Sequence, residues 1–507
     1  MSAALHLRPS SSLGFLLRGY GDLPDACDVT VAGVTVDSRQ ITSGDVFAAL
    51  AGIRGHGLAH VGQAIAQGAG AVIYDPSGGP DVETAQALCD AEGVPLVAVD
   101  ELGACLGAIA SRAYGDPSEH LCCIGVTGTD GKTSVSQFLA GALQDQGARS
   151  GVVGTLGYGF PGGLHETGLT TPDAATVQRL LRELVADGAS HVAMEVSSHA
   201  LVQHRVASVR FDTAVLTNLG RDHLDYHGSS GAYAEAKRRL FQMEGLRLAV
   251  LNMDDALGMR LRRELPRNGV EVLCYSLDCN ADAEIICTSL RPEFGGLGLS
   301  AVTPVGTVDL RLPLLGRFNG ANVLAVIGAL VGQGFGAPAI EQALGGLRPV
   351  PGRMEPFAAE GRALAVVDYA HTPGALMAAL SALRQHVPGR IWCVFGCGGD
   401  RDAGKRPLMG AAAERIADTL IITDDNPRNE NPDAIISAIT SGLRRSGSAR
   451  IIRDRAEAIA AALGEAGPDD AVLIAGKGHE TYQLTATGRH DFSDRDVVRR
   501  LQAGGES

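Results

Sequence analysis

Short apolar runs recur along most of the chain, and each ends in a polar or glycine-rich loop that leads into an amphipathic stretch. Apolar runs of five or six residues are typical of buried strands, and the stretches after them are typical of helices. Strands that alternate with helices in this way predict βαβ units and parallel sheets. We therefore expect an α/β fold in which ligand-binding side chains lie at the carboxyl ends of the strands.

The chain length and the order of these runs predict three domains. A chain of 507 residues is too long for one hydrophobic core, and roughly 150 residues per domain gives about three domains. The turn signal Pro351-Gly352 marks the last boundary. We expect a small N-terminal α/β domain over 1–112, a central parallel-sheet domain over 113–346 and a C-terminal doubly wound, Rossmann-like domain over 347–507.

The stretch CCIGVTGTDGKTSVSQFL, residues 122–139, is typical of a phosphate-binding loop. It predicts an apolar strand over Cys122–Val126, then a glycine-rich turn, then a helix that opens at Lys132 and Thr133. Backbone N–H groups of such a turn close around phosphate oxygens, and the helix N-terminus adds a partial positive charge. Lys132 would reach the outer phosphates, and the Thr133 hydroxyl would bind Mg²⁺.

The spacing of this loop departs from the common P-loop pattern by one residue. Val126 stands where the common pattern has its first glycine, and Gly125 comes one position too early. A tight strand–turn–helix connection that binds nothing is the alternative. Because Gly-Lys-Thr directly follows a predicted strand, we favour phosphate binding.

Two other parts of the predicted central domain place polar side chains at element ends. The apolar run His191–Met194 is followed by Glu195, at the position where an acid faces Mg²⁺ in phosphate-transferring folds. Thr170 and Thr171 come just before an amphipathic helix. A hydroxyl there can cap the helix or contact a ligand, and capping is the simpler interpretation.

The segment GRDHLDYHGS, residues 220–229, carries two Asp and two His within six residues. A zinc site of the His-x-x-x-His kind requires a helix at this spacing, whereas the composition indicates a loop. We favour His223 as a residue beside Mg²⁺ or phosphate, with zinc as the alternative. Lys237 follows in a predicted helix and, by composition alone, is a surface lysine.

Glycine-rich and polar loops also follow strands in the two outer domains. Gly396-Cys-Gly398-Gly399 resembles part of a dinucleotide fingerprint but lacks the spacing of its final glycine. We interpret it as a loop that holds Arg401. In the N-terminal domain, Ser38 and Arg39 follow a predicted strand and could bind a ligand, although a solvated turn is the simpler interpretation.

Composition and charge narrow the class of protein. A hydrophobic content of 45% and a charged content of 20% describe an ordinary globular protein. The net charge of −14 argues against nucleic acid as the main partner. No apolar run is long enough to span a membrane, and the start of the chain lacks the pattern of a signal peptide. We therefore expect a cytoplasmic monomer that has no membrane partner.

The ten cysteines are scattered along the chain and form no CxxC pair. Disulfides and structural zinc usually require closer or more regular spacing. We expect most of these cysteines to be buried thiols.

Taken together, the loops resemble those of the Mur ligase family, from Asp37-Ser38-Arg39 to Gly476-Lys-Gly-His-Glu480. The segment Thr127-Gly-Thr-Asp-Gly-Lys-Thr133 is similar to the ATP loop of the family, which accounts for its spacing, although the family usually has Asn at the position of Asp130. The resemblance implies an ATP-dependent ligase of cytoplasmic peptidoglycan-precursor synthesis. Such a ligase joins an amino acid to a UDP-muramoyl peptide through an acyl phosphate, with ATP as co-substrate and Mg²⁺ as cofactor.

The resemblance also implies roles for individual residues, including an N-terminal domain that binds the uridine nucleotide. The implied catalytic residues are Lys132, Lys237, His223 and Glu195. The implied metal-side residues are Thr133, Glu195, His223 and Lys237, the last as N6-carboxylysine. The implied ATP-binding residues are Thr127, Gly128, Thr129, Asp130, Gly131, Lys132, Thr133, Asn322, Arg353 and Asp368. The implied UDP-muramoyl-dipeptide residues are Val36, Ser38, Thr170, Thr171, Ser197, Gln203 and Arg205. The implied amino-acid residues are Arg401, Asp425, Asn426, Pro427, Arg428, Gly476 and Glu480.

The run Asp425-Asn426-Pro427-Arg428 is similar to the mark of family members that add meso-2,6-diaminopimelate to UDP-N-acetylmuramoyl-L-alanyl-D-glutamate. Diaminopimelate has one carboxylate more than lysine, and a guanidinium binds a carboxylate through two parallel hydrogen bonds. We expect Arg428 to bind that carboxylate, while Glu480 and Gly476 hold the nearby ammonium. A structural Arg in a Pro-containing turn is the alternative.

Two other classes of function remain open at this point. A lysine-adding ligase or a ligase like folylpolyglutamate synthase would share the ATP loop. A P-loop ATPase without ligase chemistry would also share it, but it would leave the loops at Arg401, Asp425 and Glu480 without a role.

Overall fold

The structure is a computed structural model that describes residues 10–21, 23, 27–52, 55–445, 447 and 449–503. The expectation about a signal peptide concerns partly residues 1–9, which lie outside the described residues. The chain divides into two compact units, one of residues 1–275 with 328–333 and one of residues 276–327 with 334–507.

The first unit consists of a small N-terminal sheet and a larger central sheet with their helices. Its strands are β1 (Ser11–Ser12), β2 (Thr30–Val31), β3 (Gly33–Thr35), β4 (Asp45–Ala49), β5 (Ala51–Gly52), β6 (Gly55–His56), β7 (Ala71–Tyr74), β8 (Leu96–Ala98), β9 (Cys122–Thr127), β10 (Ser150–Gly154), β11 (Gly157–Phe160), β12 (Gly163–His165), β13 (His191–Glu195), β14 (Thr213–Leu216), β15 (Leu248–Asn252) and β16 (Glu271–Ser276). Its helices are α1 (Leu13–Leu17), α2 (Val61–Ala66), α3 (Val82–Glu92), α4 (Leu102–Ala113), α5 (Lys132–Asp145), α6 (Ala174–Ala186), α7 (Ser198–Val202), α8 (Leu224–His227), α9 (Ser230–Arg238) and α10 (Ala256–Glu264).

The second unit contains an antiparallel hairpin segment and a parallel sheet. Its strands are β17 (Ile285–Glu293), β18 (Gly296–Thr303), β19 (Gly306–Leu312), β20 (Glu355–Phe357), β21 (Leu364–Asp368), β22 (Ile391–Phe395), β23 (Thr419–Ile422), β24 (Ala449–Ile451), β25 (Ala471–Ala475), β26 (Tyr482–Thr485) and β27 (Gly488–Asp491). The remaining helices of the chain are α11 (Arg317–Gly332), α12 (Ala337–Gly345), α13 (Pro373–Leu383), α14 (Lys405–Ile416), α15 (Pro432–Thr440), α16 (Arg455–Glu465) and α17 (Asp494–Gln502).

Strand β9 lies inside the central sheet, between β13 on one side and β14 on the other, and it runs parallel to both. Glu195 pairs with Val126, and Leu216 pairs with Thr127. Because parallel strands end at the same edge of a sheet, the loops after β9, β13 and β14 converge there. The predicted strand at residues 122–126 is confirmed and is one residue longer.

The parallel sheet of the second unit has the order β21-β25-β22-β23-β24, with β20 antiparallel at one edge. Alternate residues of each strand pack into two different cores, so that Val366 and Leu473 lie in one and Val367 and Ile474 in the other. Strands buried on both faces have continuous apolar sequences, which is why these runs were recognisable. The predicted doubly wound fold of this region is confirmed.

Some local predictions were wrong. The predicted strand before Ser38 and Arg39 is divided into β2 and β3, because β2 pairs with β1 whereas β3 pairs with β4. Helix α6 is capped by Asp173, whose Oδ1 accepts a hydrogen bond from Thr176 N, and not by Thr170 or Thr171. An Asp next to the first helical residue reaches the free N–H groups more directly.

All ten cysteines are free thiols, and six of them are buried, as expected. In the part of the chain that the structure describes, no helix combines the length and the apolar character that crossing a membrane requires.

Arg455 of α16 and Asp494 of α17 form an ion pair whose side chains have no exposed area. The Nε–Oδ1 distance is 2.7 Å and the Nη2–Oδ2 distance is 2.8 Å, so both carboxylate oxygens are used. A buried charge is tolerated when it is paired in this way, and removal of one partner leaves the other uncompensated. The pair therefore fixes the C-terminal helix on the second unit.

We predict that Asp494→Ala lowers the free energy of unfolding of the second unit by about 3–5 kcal/mol, because Arg455 would remain buried without its counter-charge. The single tryptophan, Trp392, packs in the same core as α16 and α17, so its fluorescence during urea denaturation reports this unit. The matched control is Glu465→Ala, which removes a roughly half-exposed ion pair with Arg450 and should change stability by less than about 0.5 kcal/mol. Equal effects of the two substitutions would contradict the prediction.

Candidate active site

The glycine-rich loop after β9 folds around the side chain of Lys132. Lys132 Nζ donates to the carbonyl oxygens of Gly128 and Thr129, each at 2.9 Å. Gly131 precedes α5 with a φ of +83°, a conformation that favours glycine. A β-carbon on Gly128 would lie 1.8 Å from Thr217 Oγ1, so this position excludes any side chain. The predicted turn and the helix start at Lys132 are thus confirmed.

Residues that follow β14 hold the backbone of this loop. Thr217 Oγ1 donates to Asp130 O at 2.6 Å, and Thr129 N donates to Asn218 O at 2.9 Å. The side chain of Asp130 is exposed while its peptide group is fixed. Sequence reasoning missed Thr217 and Asn218, although both directly follow an apolar run, which was the signal that identified Glu195.

Lys237 is buried against the same loop, with 1% of its surface exposed. Its Nζ donates to Gly128 O at 2.6 Å and lies 4.4 Å from the centre of the Tyr233 ring. Burial, and secondarily the positive charge of Lys132, lower the pKa of Lys237 to about 6. The expectation of a surface lysine was wrong, because α9 turns this side chain towards the loop. This shift favours the neutral amine form of Lys237.

Glu195 ends β13 with its carboxylate buried, at 1% exposure. Its Oε2 accepts from Thr133 Oγ1 at 2.9 Å and from Thr155 Oγ1 at 3.0 Å, and its Oε1 accepts from Thr155 N at 2.8 Å. All these donors are neutral, so within the described chain the carboxylate charge has no hydrogen-bonded counter-ion. A buried carboxylate beside a hydroxyl is a set of hard oxygen ligands that suits Mg²⁺. Thr155 was not recognised from the sequence.

His223 precedes α8 in the left-handed conformation, with φ of +50°. Its Nε2 lies 3.3 Å from Asp222 Oδ2, and about half of its side chain is exposed. Its ring lies 4.7 Å from that of His199 and 6.3 Å from that of Tyr233, measured between centroids. The expectation that residues 220–229 form only a loop was wrong, since α8 lies within them.

The candidate metal-side residues form two pairs. Thr133 and Glu195 are hydrogen-bonded to each other, whereas His223 and Lys237 both lie near the Tyr233 ring. Throughout the described residues, no group of three or more His, Cys, Asp or Glu could hold a metal ion. The zinc alternative therefore has no ligand set. A Mg²⁺ ion, which usually keeps water and phosphate oxygens as ligands, needs only one or two protein groups.

The candidate residues for the muramoyl-dipeptide assemble next to Glu195. Thr171 Oγ1 donates to Glu195 O at 2.8 Å, and Ser197 N donates to Thr171 Oγ1 at 3.1 Å. Arg205 donates to Thr171 O at 2.8 Å and to Gln203 Oε1 at 2.6 Å. Thr170 joins the group through a 3.0 Å contact between its Oγ1 and Thr155 Oγ1.

Arg205 has a partly buried guanidinium whose hydrogen-bond acceptors in the described chain are neutral. Burial lowers the pKa of Arg205, since the charged form loses solvation there. A cation of this kind is suited to bind an anionic group of a ligand.

The two N-terminal candidates have their contacts within the N-terminal module. Ser38 is buried and donates from Oγ to Gln63 Oε1 at 2.8 Å, and Val36 packs against the module core. Arg39 is largely exposed and pairs with Asp37 at 2.8 Å. The expected turn is present as a 3₁₀ helix over Ser38–Gln40.

In the second unit, Arg353 and Asp368 are neighbours. The Arg353 guanidinium lies 5.0 Å from the centre of the Tyr369 ring, and its Nε is buried without a hydrogen-bond partner in the described residues. Asp368 accepts from Met354 N at 2.7 Å and from Ala370 N at 2.9 Å. Burial raises the pKa of Asp368, although Arg353 and these N–H groups oppose the shift. Asn322 is bonded elsewhere, to Asn319 at 3.1 Å.

The candidate amino-acid residues come together where the loop after β23 meets the loop after β25. Asn426 Nδ2 donates to Glu480 Oε2 at 2.8 Å. A β-carbon on Gly476 would lie 2.4 Å from Asp425 Oδ2, so only glycine allows this approach. Arg428, at a φ of +53°, donates from Nη1 to Gly399 O at 2.7 Å. Asn426 therefore links the two charged groups, since its side chain contacts the Glu480 carboxylate and its backbone carbonyl oxygen lies 3.5 Å from Arg428 Nη1.

One prediction about this cluster needs correction, and one residue of the cluster was missed. The loop Gly396–Gly399 holds Arg428 and not Arg401, whose exposed side chain makes no hydrogen bond within the described chain. Arg406 also donates to Gly398 O, at 3.3 Å. Lys477, which sequence reasoning passed over, lies inside the cluster with no exposed area. Its place in Gly476-Lys-Gly-His-Glu480 was the available signal.

Three family models match the chain. They are described as Mur ligase family, catalytic domain, over residues 30–114, Mur ligase middle domain over residues 126–330, and Mur ligase, glutamate ligase domain, over residues 352–478. The matches follow the predicted order of three domains. The boundaries after residues 112 and 346 stay predictions.

Curated relatives match over nearly the full length. UDP-N-acetylmuramoyl-L-alanyl-D-glutamate--2,6-diaminopimelate ligase of Alkalilimnicola ehrlichii is 55% identical over 495 residues, which cover 97% of this chain and 98% of the relative. The protein of the same name from Pseudomonas aeruginosa is 50% identical over 479 residues, which cover 94% of this chain and 96% of the relative.

Solved structures show the same architecture. A structure of a UDP-N-acetylmuramoyl-L-alanyl-D-glutamate--2,6-diaminopimelate ligase is 36% identical with a TM-score of 0.71, covering 98% of this chain and 99% of that chain. Folylpolyglutamate synthase of Mycobacterium tuberculosis, complexed with ADP and AMPPCP, is 17% identical with a TM-score of 0.59, covering 78% of this chain and 94% of that chain. The second likeness shows the fold alone.

Proposed function

Because the chain belongs to the Mur ligase family, we propose that it joins meso-2,6-diaminopimelate to UDP-N-acetylmuramoyl-L-alanyl-D-glutamate with ATP as co-substrate, in peptidoglycan-precursor synthesis. The observation that carries the choice of amino acid is the cluster of Asp425, Asn426, Arg428 and Glu480. Diaminopimelate ends in an ammonium and a carboxylate on one carbon. A carboxylate and a guanidinium in the same cluster are complementary to that end.

The reaction has two steps. The D-glutamate carboxylate of the nucleotide substrate attacks the γ-phosphorus of ATP, which forms an acyl phosphate and releases ADP. The amine of diaminopimelate then attacks the acyl carbon, the amide bond forms, and phosphate leaves. In this second step the amine loses a proton, and that proton passes to solvent or to a basic group.

The residues of the first unit would stabilise the charge that moves in the first step. Lys132 now donates to the Gly128 and Thr129 carbonyls, and a phosphate can replace these as its acceptor. The N-terminus of α5, with its partial positive charge, lies beside it. Arg205, with Gln203, Thr171 and Ser197, would hold the anionic dipeptide in place.

Mg²⁺ fits the donor set at Thr133 and Glu195, and these two residues would hold it, with His223 and a carboxylated Lys237 as further metal-side residues. When bound, Mg²⁺ supplies positive charge that neutralises the transferring phosphoryl group. Asn322, Arg353 and Asp368 would contact the nucleotide, and Val36 and Ser38 the uridine end of the substrate. Arg401 and Pro427 complete the proposed amino-acid site.

The environment of Lys237 supports carboxylation of its amine. A neutral amine reacts with CO₂ to form a carbamate and a proton, and burial against Gly128 and Tyr233 favours the neutral form. We predict one protein carbamate resonance in ¹³C NMR with ¹³C-bicarbonate, absent in Lys237→Met. The control Lys405→Met removes a half-buried lysine bonded to His371 O and should retain the signal. If the carbamate resonance is absent from the unsubstituted protein, or persists in Lys237→Met, the proposed carboxylation of Lys237 is wrong.

A ligation assay tests the proposed function directly. The protein is supplied with ATP, Mg²⁺ and UDP-N-acetylmuramoyl-L-alanyl-D-glutamate, and phosphate release and amide product are followed with diaminopimelate, lysine or glutamate. We expect turnover with diaminopimelate, at least about 10-fold less with lysine because the guanidinium would be left unpaired, and none after EDTA. Phosphate release that does not depend on an amino acid would indicate an ATPase, and preference for lysine or glutamate would indicate a sister ligase.

Arg428→Ala tests the assignment of the extra carboxylate. Loss of a paired guanidinium should raise the KM for diaminopimelate by about 10- to 100-fold and leave the KM for ATP within about 3-fold. The control is Arg450→Ala, which removes a surface cation of the same unit. A similar rise in both KM values for Arg428→Ala would mean that this arginine supports the fold and not the amino acid.

A further inference from the structure

Lysine is rare in this chain, and each of the four lysines makes a hydrogen bond to the protein. Of the 43 Lys and Arg residues only four are lysines, namely Lys132, Lys237, Lys405 and Lys477. Each side-chain nitrogen lies within hydrogen-bond distance of a specific oxygen of the protein. In a chain that uses arginine for nearly all its cations, a fully buried lysine paired with a carboxylate points to an ammonium that a guanidinium cannot replace. Lys477 is such a lysine, and the mechanism above does not use it.

Lys477 is enclosed in the amino-acid cluster. Its side chain has no exposed area. Its Nζ lies 3.0 Å from Asn426 Oδ1 and 3.1 Å from Glu480 Oε2. The planar guanidinium of arginine is larger and carries five N–H donors, so it would not fit between these two acceptors without unpaired donors.

The ammonium determines how the Asn426 amide is oriented. An ammonium can only donate and a carboxylate can only accept, so Asn426 Oδ1 must face Lys477 while its Nδ2 faces Glu480. Asn426 Oδ1 also accepts from Leu484 N at 2.9 Å, and Nδ2 donates to Glu480 Oε2 at 2.8 Å. Lysine, amide and carboxylate therefore form a closed triangle with one possible arrangement.

The same triangle uses only one oxygen of Glu480. Oε2 accepts from both Lys477 and Asn426, whereas Oε1 accepts no hydrogen bond from any residue in the described part of the chain. The Glu480 side chain is 17% exposed, so this oxygen is not sealed from a ligand. A carboxylate held by one oxygen presents the other in a fixed direction. That is the arrangement that binds a ligand ammonium with little loss of conformational entropy.

We propose that Lys477 is a positioning residue of the amino-acid site, which locks Asn426 and Glu480 so that Glu480 Oε1 faces the ammonium of the incoming diamino acid. The inference rests on the proposed function, because it assumes that an amino acid binds this cluster. It adds a residue that acts through Glu480 and does not touch the substrate.

Lys477→Met tests the proposal, since methionine has a similar length and suits a buried position. With a mobile Glu480, the KM for diaminopimelate should rise about 10-fold or more, while kcat at saturating diaminopimelate and the KM for ATP stay within about 3-fold. Lys405→Met, the matched control, should leave all three values within about 2-fold. An unchanged KM for diaminopimelate, or an equal fall of kcat in every assay, would overturn the proposal.

A double-mutant cycle with Glu480→Gln separates positioning from general damage. If Lys477 acts through Glu480, adding Lys477→Met to Glu480→Gln should raise the KM for diaminopimelate by less than about 3-fold more. If the two single effects multiply, Lys477 acts independently of Glu480 and the proposal fails.

Folding and the proposed function are checked separately. Trp392 fluorescence and the thermal midpoint show whether Lys477→Met folds, and Lys477→Gln, which keeps donor hydrogens without the charge, is the second variant. Loss of folding in both would show that Lys477 serves stability and would overturn the proposal. The unsubstituted protein is assayed first: absence of turnover with diaminopimelate defeats the proposed function, whereas normal turnover with an unaltered KM in Lys477→Met defeats only the positioning role.

Discussion

Two amines share one backbone carbonyl at the glycine-rich loop, and this shared contact sets the charge state of the site. Lys132 reaches Gly128 O from within the loop at 2.9 Å, and Lys237 reaches it from α9 at 2.6 Å. Two ammonium groups so close repel each other, and burial adds a cost for each charge. Both effects lower the pKa of Lys237 and favour its neutral form. The exclusion of a side chain at Gly128 and the bracing by Thr217 keep that carbonyl in place.

In the second unit, buried positive charges are compensated by carboxylates. Arg455 and Lys477 are both buried, but each has a carboxylate within hydrogen-bond distance. Arg455 also donates to Ala475 O at 3.0 Å, directly before Gly476 of the amino-acid cluster. The paired charges therefore hold the backbone and side chains of the cluster in one arrangement. Where the first unit leaves Glu195 without a hydrogen-bonded cation, the second leaves one oxygen of Glu480 without a donor in the described residues. We propose that a bound ligand completes both positions.

Prediction from sequence succeeded where one local pattern decides the structure. The strand before the glycine-rich loop, the helix start at Lys132 and the parallel strands around Val366 and Leu473 follow from apolar runs and turn residues that lie close together in the chain. It failed for the burial of Lys237 and for the capping role of Thr171, because the neighbours of both residues come from distant segments. Thr171, for example, bonds to the end of β13 and to Arg205, which lies 34 residues away.

The sequence by itself determined the α/β class, the phosphate loop, the family resemblance and the segments that carry the candidate residues. Only the tertiary structure decided which of those side chains are buried, what each one contacts and what protonation state follows. The physical reason is that turn propensity and apolar periodicity act over a few residues, whereas desolvation, long-range hydrogen bonds and charge depend on everything packed around a group. The glycine-rich loop could be predicted from the sequence alone. The burial of the Lys237 amine and the fixed position of the Glu480 carboxylate depend on tertiary packing.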